Sequence, residues 1–311
     1  LISFVLIYFW VNCMVIILNT NEKGYMPFLD TPVTSFVVGL KDFCINQKYA
    51  LSLKELPEAI YKIKNHHKNF YLSINLFASE SEIKKFKKII PSLKLLDIDA
   101  YIVSDLGVFN VLKSNGLASK VMLDLQTYVT NKYSAKSLLD LGVKRVFLSK
   151  EITLNDIKEI SLYTNGKVEV FAQGYNPITY SKRPILTNYY KNFKLKKKSN
   201  LHFIKEESRE NYYFLEEYKN NLIVYNDKEY SLLPYLDELV NSEVKHFYID
   251  AIFLDEEKVK NYIYYYKNAL DSILQNNFNK YSEIKEKFIK ENEFSTPFLH
   301  NQSVLLKDGE K

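Results

Sequence analysis

The sequence predicts an α/β chain that closes into a (β/α)8, TIM-like barrel, and three observations predict it. Short apolar runs alternate with longer amphipathic stretches, the short runs number eight, and one late connection is far longer than the rest. Runs rich in Val, Ile, Phe or Tyr and bounded by polar or Gly residues suit buried parallel strands. Eight strand–helix repeats favour closure, with an open doubly wound sheet as the alternative. No glycine fingerprint for phosphate follows any run, and only 8 glycines are available, which counts against a dinucleotide-binding sheet. A length of 311 residues is within what a single barrel uses.

In chain order, Leu1 to Leu18 is apolar enough to span a bilayer. The missing initiator Met, the missing basic segment and the interruption at Asn12 and Cys13 argue against an anchor or signal. Residues 1–13 are therefore expected to be a leader of uncertain origin, foreign to the native chain or a buried extra segment. The strands expected are Val15–Leu18, Ser35–Gly39, Phe70–Asn75, Ala100–Ser104, Lys120–Leu123, Arg145–Ser149, Val168–Ala172 and His246–Ile252. Between them, Leu53–Lys64 and Ser81–Leu96 have helical spacing, the second with Ile83, Phe86, Ile89, Ile90 and Leu93 on one face. Ser52 before Glu55 and Ser79 before Glu82 match the capping box, and Gly116 and Gly142 fall where helices should end. Residues 173–245 form a long insertion between strands seven and eight, the kind of link that elaborates a barrel's C-terminal face. A strand pair is expected in it around Asn221–Tyr225. Tyr262 to Tyr266 lies in a helical pattern and reads as packing surface. The barrel unit is expected over 14–280. Residues 281–311 are expected to form a tail packed on it, with Phe294 to Lys307 as a final strand.

Charged residues at 25% and aromatics at 15% describe an ordinary globular chain, so disorder is excluded. The net charge of +5 is modest, which leaves local basic clusters to decide any nucleic-acid argument. Two cysteines, Cys13 and Cys44, cannot supply a disulfide framework, a four-thiolate cluster or a structural zinc site. A reducing cytoplasm is the simplest location.

Barrels place their chemistry at the C-terminal ends of strands. The polar residues there are Asn19, Asn75, Asp105, Gln126, Lys150, Glu151, Glu169 and Asp250. Glu169 and Asp250 are the catalytic candidates, and Asn75, Asp105, Gln126 and Lys150 are substrate-binding candidates. Glu169 opens an apolar run where an unpaired carboxylate would be costly, so a partner is expected in Arg183 or Lys150. No G-x-S-x-G elbow and no H-E-x-x-H occurs, and no metal site is expected. His66, His67, His202, His246 and His300 read as surface or satisfied histidines, and Cys44 as a structural thiol. Tyr189 with Lys194, Lys196, Lys197 and Lys198 suits a stacked base and a phosphate backbone, while a solvated lysine loop is the plainer alternative.

The run Glu169–Tyr190 (EVFAQGYNPITYSKRPILTNYY) resembles the signature of the peptidase U-32 family, labelled collagenase-like. Tyr101–Val108 (YIVSDLGV), Leu125–Asn131 (LQTYVTN), Leu141–Ile152 (LGVKRVFLSKEI), Lys205–Arg209 (KEESR) and Asn226–Leu233 (NDKEYSLL) match further motifs of that family in order. The resemblance implies an iron–sulfur cluster in the redox members. At its cysteine positions this chain has Pro177, Pro184 and Ser231, so no cluster is expected. The family's His is Gln173 here, its strand-eight acid survives as Asp250, and its strand-eight Arg becomes Ile252, which removes an anion clamp. The signature adds Gln173, Tyr180, Arg183 and Asn188 as substrate-binding candidates. Characterised relatives are prephenate-dependent hydroxylases of tRNA wobble uridine or ribosomal RNA, or act on a quinone precursor, and some work as paired paralogous subunits. The resemblance thus implies a cluster-less member supporting tRNA uridine hydroxylation, with tRNA and a cluster-bearing paralogous subunit as partners. DNA is not an expected partner, and a membrane is one only if residues 1–18 are a genuine anchor. A peptidase or a non-catalytic binding barrel are the alternatives.

Overall fold

The computed structural model describes residues 14–196, 199, 201–205, 207, 212–218 and 221–300. Eight parallel strands form the barrel: β1 (Val15–Asn19), β2 (Ser35–Leu40), β4 (Asn69–Ile74), β5 (Ala100–Val103), β6 (Val121–Leu123), β7 (Arg145–Phe147), β8 (Val168–Ser181) and β12 (His246–Asp250). They follow one another in that order, and β12 pairs with both β1 and β8, which closes the ring. Closure decides between the two sheets the sequence allows. A two-residue strand, β3 (Ala50–Leu51), pairs with the end of β2. The leader at 1–13 and residues 301–307 of the expected final strand lie outside the described residues; its described part, 294–300, makes a single bridge from Ser295 to Tyr230 and a turn in place of a strand.

The strands form because both faces are covered. β2 and β5 are buried along their whole length, as apolar runs without alternation require. Around them pack α1 (Leu56–Asn65), α2 (Glu80–Lys94), α3 (Leu106–Ser114), α4 (Lys132–Leu139), α5 (Leu154–Tyr163), α7 (Leu236–Asn241), α8 (Glu256–Leu274) and α9 (Phe278–Glu291), the label α6 belonging to the insertion. Ser79 and Glu82 form the expected capping box on α2, whose Phe86, Ile90 and Leu93 face the core. Ser52 and Glu55 bond to each other ahead of α1, which starts only at Leu56, so that pair closes a turn instead of capping the helix. Asp255 caps α8, which buries Val259, Tyr262, Ile263, Tyr266, Leu270 and Ile273 on one stripe. Tyr262 and Tyr266 of the tyrosine run are thus core, while Tyr264 faces outward, and the Tyr266 hydroxyl donates to the Ala172 carbonyl at 2.6 Å.

The insertion forms an arm. β8 runs on past the barrel wall, then comes α6 (Ile185–Asn192), followed by β9 (Leu201–Lys205), β10 (Tyr212–Tyr218) and β11 (Asn221–Ser231). The arm strands are antiparallel in the order β8-β11-β10-β9. A small apolar cluster of Ile223, Tyr225 and Ile252, with Phe214 and Phe253 against it, fixes the arm to the barrel mouth. Ile252 therefore does packing work at the position where the family places an arginine. After α9 the chain returns to the barrel, where the Ser295 amide donates to the Glu229 carbonyl and the Leu154 amide to the Leu299 carbonyl.

Candidate functional site

A cavity of about 320 Å³ opens at the C-terminal ends of the barrel strands. Its floor is made by inward-facing side chains of the strands: Ser73, Ile102, Phe147, Phe171, Tyr248 and Asp250. Its polar rim comes from Asn75, Asp124, Gln126 and Lys150, one to three residues past strand ends, and from Asn46 and Gln47 in the loop after β2. The arm roofs it with Pro177 to Tyr180 and Ile223. Strand ends converge here because parallel strands in a closed barrel all terminate on one face.

Local bonds hold the rim. The Asn75 carbonyl oxygen accepts from the Ile45 amide at 2.9 Å, which ties the β2 loop to β4. Asp124 accepts from the backbone and side chain of Gln126 at 3.3 and 3.1 Å. The Tyr225 hydroxyl donates to Asn46 Oδ1, and the Tyr180 hydroxyl to Asn221 at 2.6 Å. Lys150 Nζ stands 5.1 Å above the Phe171 ring. Ser73 Oγ is fully buried, lines this cavity and has no hydrogen-bond partner among the described residues.

Asp250 is the electrostatic centre. Its carboxylate accepts from Asn19 Nδ2 at 3.0 Å and from the Ile252 amide at 3.1 Å. Burial pushes its pKa up to about 7, Asn19, Ile252 and Lys150 oppose the rise, and Asp124 adds to it. A carboxyl that gains and loses a proton near neutrality can act as acid or base. Gly174 makes this position reachable: at φ +129° it passes so close to β12 that a Cβ would lie 2.4 Å from the Asp250 carbonyl oxygen.

Of the residues expected from the sequence, Asn75, Gln126, Lys150, Tyr180 and Asp250 come together on this cavity. The others do not line it. Asp105 caps α3 through the Val108 amide at 2.9 Å and also accepts from Ala78. Gln173 is turned away because the β8–β12 register shifts between Tyr248 and Ile249; it donates instead to Glu229 at 3.1 Å. Arg183 and Asn188 are exposed on the arm. Glu169 lies one inward layer below Phe171, fully buried, and its partner is Arg145, not Arg183 or Lys150. Arg145 also reaches Tyr71 Oη at 3.3 Å and Met122 Sδ at 3.0 Å. Burial pushes the Glu169 carboxyl up, and the guanidinium opposes it. His246 is not a surface histidine: burial, with Arg145 beside it, lowers its pKa to about 3, so it stays neutral. Sequence reasoning missed Asp124, Asn46, Gln47 and Ser73. Asp124 was findable, since it follows an expected strand and stands two residues before Gln126.

On the arm, Tyr189 is half exposed and its ring lies 4.8 Å from that of Phe193. Tyr190 turns inward against His202 at 5.3 Å. Lys191, Lys194 and Lys196 are exposed beside them, whereas Lys197 and Lys198 lie outside the described residues. Of the three family cysteine positions, Pro177 roofs the cavity, Pro184 precedes α6, and Ser231 Oγ is buried and accepts from the Leu233 amide. None of these side chains offers a thiolate, and among the described residues no three His, Cys, Asp or Glu side chains gather as a ligand set. They do not fit a thiolate-held cluster. No described helix is long and apolar enough to cross a membrane.

The closed barrel with a polar-rimmed, roofed cavity at its C-terminal mouth defines an α/β-barrel protein whose pocket lies where barrels place their chemistry. A family model described as Peptidase family U32 matches residues 25–304, and the chain belongs to that family. Among curated relatives, tRNA hydroxylation protein P2 of Bacillus subtilis is 21% identical over 89% of this chain and 92% of its own length. The 23S rRNA 5-hydroxycytidine C2501 synthase of Escherichia coli is 22% identical over 76% of this chain. An uncharacterized protease of Methanocaldococcus jannaschii is 37% identical over 39% of this chain. This chain spans about a third of the length of those last two relatives, 36% and 30%. A solved U32 peptidase superposes with a TM-score of 0.48 at 11% identity, covering 76% of this chain and 92% of its own.

Proposed function

We propose that the chain supports hydroxylation of RNA, with tRNA wobble uridine as the substrate, as a member without an iron–sulfur cluster of its own. It works in the cytoplasm beside a cluster-bearing paralogous subunit. The observation that carries the reading is the pairing, on one face, of a roofed polar cavity centred on Asp250 with an arm that presents rings and lysines. Aromatic side chains stack unpaired bases and lysines neutralise the flanking phosphates, which is how single-stranded RNA is held. The relative that shares nearly its whole length with this chain is named for tRNA hydroxylation, and another is named for an rRNA hydroxycytidine. Pro177, Pro184 and Ser231 support the cluster-less part of the proposal, because redox chemistry would then need a second subunit. The cavity's described lining contains neither histidine nor cysteine, so a nucleophile paired with a histidine base has no support there.

The test is deletion of the gene in its own organism, followed by mass spectrometry of tRNA nucleosides. Hydroxylated wobble uridine should fall and return on complementation, and a cluster-bearing paralogue should co-purify with the tagged chain. Unchanged wobble nucleosides in the deletion strain would overturn the reading.

A further inference from the structure

The cavity has a neighbour. A second chamber of about 300 Å³ is lined by Lys41, Lys48, Ala50, Glu216, Tyr218 and Asn221, and shares Ile45, Asn46, Gln47 and Ile223 with the first. The residues common to both are Ile223 of β11 and a loop in which Asn46 takes a left-handed φ of +53°. Tyr225 holds Asn46, and the Gln47 amide lies against the Tyr248 hydroxyl, while Gln47 Oε1 is buried with no partner.

The two chambers differ in charge. The inner one has Asp124, Asp250 and, as the one cation among its described lining, Lys150, together with amides and the rings of Phe77, Phe147, Phe171, Tyr180 and Tyr248. An anionic group there would face two carboxylates, and the position of the family's arginine is occupied by Ile252 within an apolar cluster. An uncharged ring with donors and acceptors on its edge would instead stack on the aromatic walls. It would also supply a partner to Ser73 Oγ, which lines the chamber, buried and unpaired among the described residues. The outer chamber has two lysines against one acid. Lys48 is engaged by Glu216 and stands 4.9 Å over the Phe253 ring, whereas Lys41 is exposed, makes no ion pair within 4 Å among the described residues, and acts on Glu55 from beyond that distance.

We propose that the two chambers form one bipartite nucleotide site, the inner taking the uncharged base and the outer taking the phosphate next to it, with Lys41 as the phosphate ligand. In the RNA reading, on which the use of this site in a polynucleotide rests, the base reaches the inner chamber by leaving its stack. The assignment divides one ligand between two electrostatic environments, each suited to one half of it.

The experiment uses the full chain and ligand-detected NMR titrations of uridine 5′-monophosphate, uridine and inorganic phosphate. The monophosphate should bind about tenfold tighter than the nucleoside, the size expected of one charge-assisted contact. Lys41→Gln should abolish that advantage and leave nucleoside affinity unchanged, and Ser73→Ala should weaken both ligands alike. Raising the salt concentration should shrink the advantage in the wild type alone. Equal affinity for nucleoside and nucleotide, or an advantage that survives Lys41→Gln, would overturn the proposal. A gel shift with whole tRNA separates the two readings. If tRNA does not bind while the Lys41-dependent preference persists, the site serves free nucleotides and the RNA reading is what fails.

Discussion

At the scale of single residues, Asp250 and the Arg145–Glu169 pair make opposite demands on the barrel interior. Asp250 has a folded pKa of about 7 against an ordinary 3.8, so the folded protein keeps a proton that the unfolded chain releases. Its contribution to stability is therefore full below pH 3.8, declines as the pH rises to about 7, and is constant beyond. The total loss is at most about 4 kcal/mol. Asp250→Asn preserves an oxygen for Asn19 and for the Ile252 amide and removes the titration. Urea midpoints of the variant should gain on the wild type between pH 4 and 7, and parallel curves would refute the assigned burial cost. Arg145 behaves differently because it neutralises a buried carboxylate. Arg145→Met leaves Glu169 without its partner and should cost about 3–5 kcal/mol, whereas the double variant Arg145→Met/Glu169→Met should recover most of that. Equal loss in the single and double variants would show that shape, not charge, is what the pair supplies.

At the scale of elements, the critical join is where β8 leaves the barrel and becomes the root of the arm. Gly174 sits there at φ +129°, pressed against Asp250. Gly174→Ala should lower stability by roughly 3 kcal/mol or more, read as a fall in Tm, because backbone cannot retreat as a side chain can. Gly116, at φ +77° with open space around it, is the control, and its Ala variant should cost about 1 kcal/mol. The same join explains what the sequence makes legible. The barrel strands stand out because each is a short, mostly apolar run, and the helices because their stripes keep one period. Two arm strands escape notice for physical reasons. β9 is half-buried to exposed along its length, so it has no apolar face to read. β10 buries Glu217 within its pattern, an inversion that Thr187 of α6 helps to make tolerable by donating to that carboxylate from its amide and its hydroxyl. Gln173 fails for a related reason: alternation places it in the lumen, and a register shift that leaves no mark in the sequence turns it out. Residues after strand ends, such as Asn75, Gln126, Lys150 and Asp250, need only the strand boundary to be right. Those on the β2 loop need its path, which is set by contacts with distant β4 and β11.

At the scale of the whole molecule, the net charge of +5 is too small to draw RNA without local concentration, so the arm's placement matters more than the total. The Ile223–Tyr225–Ile252 cluster fixes the arm to the barrel, and Lys182 bonds Glu82 of α2 at 3.2 Å and the Phe77 carbonyl at 2.6 Å from the other side. Held at both ends of its root, the arm keeps its lysines at a set position relative to the cavity mouth, so bound RNA would be presented in one register. Lys191, Lys194 and Lys196 are each exposed, which makes charge reversal at all three safe for folding. If they hold phosphates, Lys191→Glu/Lys194→Glu/Lys196→Glu should weaken tRNA capture at least about tenfold near 0.1 M salt. The slope of log K against log salt should become shallower by about 2, the number expected when three contacts to a single strand are removed. Tyr189→Ala should weaken capture by roughly 1–3 kcal/mol without changing that slope, because stacking releases no counterions. A charge-reversed variant that binds tRNA with wild-type affinity and slope would move the RNA contact off the arm, and the lysines would then be a solvated face of the barrel's insertion.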